Sequence, residues 1–268
     1  MLCARRANCA CENKMGESDG GIGRGQITVV GLGPGGQEQM TPKALKAIQE
    51  AEVVAGYTTY IRLIESLLAD KEVIGTGMMQ EVDRCRLAVK TAAEGKNTVM
   101  VSSGDSGVYG MAGLILEIVL QYDAAERPEV DIVAGLSAVN AAAAVLGAPL
   151  MHDFAVISLS DRLTPWELIK KRAALAAQGD FVIALYNPKS KSRVKNIDEI
   201  HDILLQYKSP STPVGIVKNA SRSDEQKILS TLRDFTKEDI DMFSMVIIGN
   251  SKTFIQDGWM ITPRGYKV

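Results

Sequence analysis

The chain has 268 residues, 46% of them apolar, and a formal charge of −2, enough apolar material for two packed cores of ordinary size. That charge balance excludes a general attraction to nucleic acid or anionic lipid, and no stretch is apolar for long enough to cross a membrane. A soluble cytoplasmic protein is expected.

Residues 1–26 carry Cys3, Cys9 and Cys11 among Gly, Asn, Asp and Arg, show no periodic apolar pattern, and read as a disordered tail. The Arg5-Arg6 pair lacks the apolar run that a secretory signal needs behind it. Three clustered thiols are one short of the four that zinc or an iron–sulfur cluster usually takes, so no metal site is assigned. Cys85 stands alone on a predicted amphipathic helix, which leaves the folded part without a disulfide framework.

From Gln26 onward, short apolar runs alternate with helical patterns. Strands are predicted at 27–30, 52–55, 72–74, 98–101 and 131–133, and helices at 42–51, 58–69, 81–94 and 107–121. This rhythm implies a mostly parallel sheet covered by helices on both faces, within a first α/β domain over 27–135. Past Gly135 a small-residue helix is predicted at 137–146, then strands at 155–159, 181–185, 214–217, 245–248 and 259–262. Helices at 165–177, 192–206 and 224–235 are fewer relative to strands, which predicts a second α/β domain over 136–268 with antiparallel character.

Two glycine-rich segments follow predicted strands: Gly31-Leu32-Gly33-Pro34-Gly35-Gly36 and Ser102-Ser103-Gly104-Asp105-Ser106-Gly107-Val108-Tyr109-Gly110. Glycine turns at the carboxyl edge of one sheet let a small ligand lie against bare backbone. A dinucleotide is a poor match. Its fingerprint runs straight into a helix, whereas here the helix start Thr41-Pro42 comes only after residues 37–40. The acidic residue expected at the end of the second strand is also replaced by Ala55-Gly56-Tyr57.

Taken in order, residues 30–35, 51–57, 103–110, 134–138, Tyr186-Asn187-Pro188, 213–222 and 247–250 closely resemble the tetrapyrrole methylases. That family methylates porphyrinoid rings with S-adenosylmethionine, and the resemblance covers residues 27–266. Residues 151–161, 186–193 and 216–222 resemble its branch acting on C17 of precorrin-3B or cobalt-factor III, with ring contraction, in cobalamin synthesis. The resemblance implies two α/β domains with the cofactor in the cleft between them, and a homodimer.

Carried over residue by residue, the resemblance gives the S-adenosylmethionine site as Gly33, Pro34, Ser103, Gly104, Asp105, Val108, Ser137, Ala138, Asn187 and Ala220. A tetrapyrrole bears many acetate and propionate groups, for which Lys189, Arg193, Lys218 and Arg222 are candidate partners. Candidates for acid–base work are His152, Asp105 and Tyr57, with Asp153 and Tyr60 beside them. In related uroporphyrinogen methylases an aspartate stands where this chain has Tyr57, and a phenol with an ordinary pKa of ~10 replaces it poorly as a base. Metallation of the substrate stays open at this stage. The competing readings are another corrin-ring methylase and, from a different class, a non-catalytic nucleotide-binding regulatory module. An RNA substrate is disfavoured by the acidic balance.

Overall fold

The computed structural model describes residues 25–190 and 193–267. The tail reading up to residue 24, its three cysteines and Lys191 lie outside them, while Gly25 and Gln26, read as the end of that tail, stand at the start of the first sheet. The first half is a five-stranded, wholly parallel sheet of β1 (Gln26–Gly31), β2 (Val53–Tyr57), β3 (Glu72–Thr76), β4 (Thr98–Ser102) and β5 (Glu129–Val133), in the order β3-β2-β4-β1-β5. Its central strands are near-continuous apolar runs because both faces are covered. Val30, Val54, Val99 and Val101 pack under α1 (Pro42–Glu50) and the segment after α2 (Thr58–Leu63). Ile27, Val29, Val53, Ala55 and Met100 point the other way, against α3 (Glu81–Ala93) and α4 (Ala112–Val119).

The connections set the location of the site. The chain leaves β1 and passes over β4 to reach β2, whereas it leaves β4 and passes β1 to reach β5. Neighbouring strands whose exits diverge open a crevice at their carboxyl ends. Both glycine segments begin there.

The second half is a mixed sheet of β7 (Phe154–Ser158), β8 (Val182–Tyr186), β9 (Pro213–Lys218), β10 (Gln226–Thr231) and β11 (Ser244–Ile248), in the order β10-β9-β11-β8-β7. β7 and β8 are parallel, and β8 and β9 each lie antiparallel to β11. β7, β8 and β9 therefore share a direction. One face packs on α6 (Trp166–Gln178) and α7 (Asn196–Leu204), the other on α5 (Ala138–Leu146). A three-stranded sheet of β6 (Gly147–Ala148), β12 (Phe254–Gln256) and β13 (Trp259–Ile261) adds Met260 to the second of these cores.

Three expectations are corrected. Residues 224–235 are not a helix: β10 pairs antiparallel with β9 from Gln226 to Thr231. Ile228, Leu229, Leu232 and Phe235 imitate a helical stripe, but Ile228 packs against the core under α6 and α7 while Leu229 packs on the α5 side. Only a strand separates adjacent residues in this way. The helix expected at 107–121 begins at Ala112, because residues 105–111 form a turn whose Ser106 carbonyl accepts from the Ala112 amide at 3.0 Å. The helix expected at 58–69 ends at Leu63 and gives way to a 3-10 turn, Glu65–Leu67.

Cys85 is fully buried on α3, and burial pushes its thiol up to about 11. Alkylation by iodoacetamide at pH 8, followed by peptide mapping, should leave Cys85 unlabelled in the folded protein and label it in urea. Rapid labelling without denaturant would contradict this packing.

Candidate active site

The ends of β1 and β4 turn into each other. The Leu32 amide donates to the Ser102 carbonyl at 2.8 Å. Gly33 and Gly104 then exchange two bonds, at 3.0 and 2.7 Å. Gly104 sits at φ +69°, a conformation glycine adopts without penalty. Its missing side chain leaves space, since an added Cβ would come no closer than 3.7 Å to another heavy atom. Gly135 is the opposite case: an added Cβ would strike the Gly104 carbonyl and lie 2.7 Å from the Gly31 carbon. Some of these glycines thus allow backbone to touch backbone, while Gly104 opens room in the crevice.

Asp105 fixes the second glycine turn. One carboxylate oxygen accepts from the amides of Gly107 at 2.8 Å and Val108 at 3.1 Å; the other accepts from the Gly135 amide at 2.9 Å. The side chain binds the loop after β4 to the loop after β5, and both its oxygens are engaged. It is a brace for the turn.

The facing wall comes from the second half. Tyr109 has φ +55° and reaches across to β7, where its hydroxyl accepts from the Ser158 amide at 3.1 Å and donates to the Val156 carbonyl at 3.3 Å. Its ring packs on Tyr186 with centroids 5.2 Å apart. The Tyr186 hydroxyl accepts from the Val139 amide at 3.1 Å at the start of α5. These contacts bring the carboxyl ends of β7, β8 and β9 to the crevice. Asn187, Asn219 and Ser221 all have positive φ, between 50° and 61°, and turn the chain sharply there. The turn at 219–222 presses on the first glycine loop. A Cβ on Gly35 would land on the Ser221 carbonyl, and Arg222 Nε donates to the Pro34 carbonyl at 3.2 Å.

A cleft of about 230 Å³ lies between the two walls. Of the residues selected from the sequence, Pro34, Ser103, Gly104, Asp105 and Val108 line it from the first half, together with Tyr57. Ala138, Asn187, Ala220 and Arg222 line it from the second. Gly33 lies behind the surface in the backbone bridge, and Ser137 donates to Asn140 at 2.9 Å as α5 begins.

Other candidates lie elsewhere. His152 precedes β7, whose opposite end carries Ser158 at the cleft, so at least ~13 Å of strand separates them. Its nearest acid is Asp153, at 3.7 Å, and its side chain is 46% exposed. Lys218 is held by Asp239 at 2.7 Å and Asp241 at 2.9 Å, bonds that raise its pKa above the ordinary lysine range. Arg193 turns back onto Ser190 and toward Asp161, and Lys189 does not line the cleft.

The sequence did not single out Tyr109 or Tyr186, nor the apolar wall of Met78, Met242, Phe243 and Met245. Tyr60 faces Tyr57 edge to face at 5.2 Å. Burial raises the Tyr60 and Tyr186 pKa values; the Arg222 guanidinium opposes the shift at Tyr60. Both phenols are therefore neutral donors at pH 7. Among the described residues, no cluster of His, Cys, Asp and Glu could hold a metal ion, and no helix is long and apolar enough to cross a membrane.

The comparisons with known proteins agree with this architecture. A sequence model of the Tetrapyrrole (Corrin/Porphyrin) Methylases matches residues 26–236. The chain is 51% identical to a probable cobalt-factor III C(17)-methyltransferase of Salmonella typhimurium, across 90% of this chain and 99% of that protein. It is 50% identical to a cobalt-factor III methyltransferase of Priestia megaterium over 91% of this chain, which spans 46% of that longer protein. The crystal structure of the methyltransferase CobJ superposes with a TM-score of 0.85 at 38% identity, covering 89% of this chain and all of CobJ. With the family match extending over most of its length, and a relative of half-identical sequence covered almost end to end, the chain belongs to the tetrapyrrole methylases.

Proposed function

We propose that the protein transfers a methyl group from S-adenosylmethionine to C17 of cobalt-factor III, with ring contraction, in cobalamin synthesis. The observation that carries this reading is the cleft at the β1/β4 crossover, with a braced glycine turn on one side and apolar and phenolic side chains on the other. The relatives named for cobalt-factor III, at 50% and 51% identity, favour the cobalt-containing substrate. The reading divides the chain at 135/136, where it passes from the first sheet to α5, and makes it a cytoplasmic homodimer.

The cleft suits the donor's amino-acid end. Gly104 leaves an open cradle of backbone at the strand ends, and the Asp105 brace holds that backbone still. Pro34, Ser103, Gly104, Val108 and Ala138 would hold the cofactor, with Asn187 and Ala220 along its nucleoside part. Bound there, S-adenosylmethionine supplies a methyl group activated by its sulfonium. The chain's own contribution is position: fixing two reactants in line can supply ~7–11 kcal/mol of a displacement barrier. Met78, Met242 and Phe243 offer an apolar surface for the flat face of a macrocycle and keep water from the reacting centre. Asp105 acts as a positioning residue, and His152 and Lys218 take no part.

The test is incubation of the purified protein with S-adenosylmethionine and, separately, cobalt-factor III or precorrin-3B, followed by mass spectrometry and NMR. One added methyl at C17 of cobalt-factor III is expected. A methyl at another carbon would make the protein a different corrin methylase. Nucleotide binding with no methyl transfer to any tetrapyrrole would favour a regulatory module.

A further inference from the structure

The cleft's polar groups divide into those already engaged and those still available. Asp105 is engaged by three amides, Tyr109 by the β7 backbone and Tyr186 by the Val139 amide. Among the described residues, the hydroxyls of Tyr57 and Tyr60 have no hydrogen-bond partner, although both side chains line the cleft. Arg222 uses only Nε, on the Pro34 carbonyl, and its guanidinium lies 5.6 Å from the centre of the Phe243 ring. No carboxylate of the described residues pairs with it, so its terminal nitrogens remain free to donate.

These three side chains converge from different elements. Tyr57 ends β2, Tyr60 lies on α2, and Arg222 follows the turn after β9. The two rings touch edge to face, and Arg222 is close enough to act electrostatically on the Tyr60 phenol. Two phenol O–H groups and one guanidinium on half-buried side chains, with Asp105 already engaged and Glu81 the acid that acts on Tyr60 from α3, make a site for an oxygen anion. Guanidinium geometry matches a carboxylate, and the phenols can serve its remaining lone pairs.

We infer that Tyr57, Tyr60 and Arg222 together hold one peripheral carboxylate of the tetrapyrrole. The inference rests on the proposed tetrapyrrole substrate and gives that substrate a fixed orientation. Arg222 also bonds Pro34, which borders the proposed cofactor position, so the clamped carboxylate lies beside the methyl donor. The clamp thereby selects which edge of the ring faces the donor. Arg222, one of four basic candidates in the sequence, thereby becomes one arm of a three-point contact.

The experiment is an anaerobic absorbance titration of the full chain with cobalt-factor III, alongside calorimetry with S-adenosylhomocysteine. Tyr60→Phe and Arg222→Gln are measured singly and together; Gln keeps a donor for the Pro34 carbonyl. Each single change should weaken cobalt-factor III binding by about tenfold and leave S-adenosylhomocysteine affinity within about twofold. The double variant should lose less than the product of the two single losses, because both arms serve one carboxylate. Unchanged cobalt-factor III affinity in the single variants, or losses that multiply fully, would overturn the clamp while leaving the methylase reading intact. Failure of the unaltered protein to bind cobalt-factor III, with S-adenosylhomocysteine still bound, would overturn the substrate reading and the clamp with it.

Discussion

Gly135→Ala should be among the most damaging single methyl additions in the first half of the molecule. Its Cβ would strike the Gly104 carbonyl and crowd Gly31, all of it backbone held by sheet bonds and unable to swing aside. Overpacking commonly costs ~1–3 kcal/mol where side chains can shift, and more where they cannot. We expect a loss of at least ~3 kcal/mol, read by urea denaturation followed by far-UV circular dichroism. Gly104→Ala is the control. Its added methyl meets nothing within 3.7 Å, so its cost should be the left-handed strain alone, ~1–2 kcal/mol. Equal stabilities for the two variants would refute the reading that Gly135 serves packing and Gly104 serves space.

Asp105→Asn should separate activity from stability. Asn retains one acceptor oxygen for the Gly107 and Val108 amides but aims an NH2 group at the Gly135 amide, donor against donor. Folding should weaken by ~1–3 kcal/mol, the range for losing one charge-assisted bond. Methyl transfer should fall about 100-fold, since small misplacements of a positioning loop are costly. The checks are kcat and KM for methyl transfer beside a thermal melt. Full activity in Asp105→Asn would remove Asp105 from the positioning machinery.

The sequence was most legible where physics is local. Buried parallel strands announce themselves as apolar runs, and Thr41-Pro42 marks a helix start because Thr41 Oγ1 caps the Ala44 amide at 3.1 Å. The glycine turn with an internal acid lies along the cleft's first wall. The strand β10 was hidden because four apolar residues fell by chance on a helical spacing, and its pairing with β9 is a tertiary fact. His152 was selected for its chemistry, but which end of β7 faces the cleft depends on topology. Lys218 resembled a free cation because its partners, Asp239 and Asp241, lie more than twenty residues on. Tyr109 and Tyr186 lie in segments that resemble the family but drew no role of their own; their meeting is made by the apposition of two sheets.

That apposition has a consequence for solubility. β7 is the outermost strand of its sheet, and its backbone groups at Val156 and Ser158 would otherwise be free to template another chain. The single hydroxyl of Tyr109 fills both valences at once. Any motion that draws the glycine loop away from β7 must uncover this edge. The contact that closes one side of the crevice therefore also keeps a sticky edge covered, and losing the Tyr109 hydroxyl would leave that edge bare.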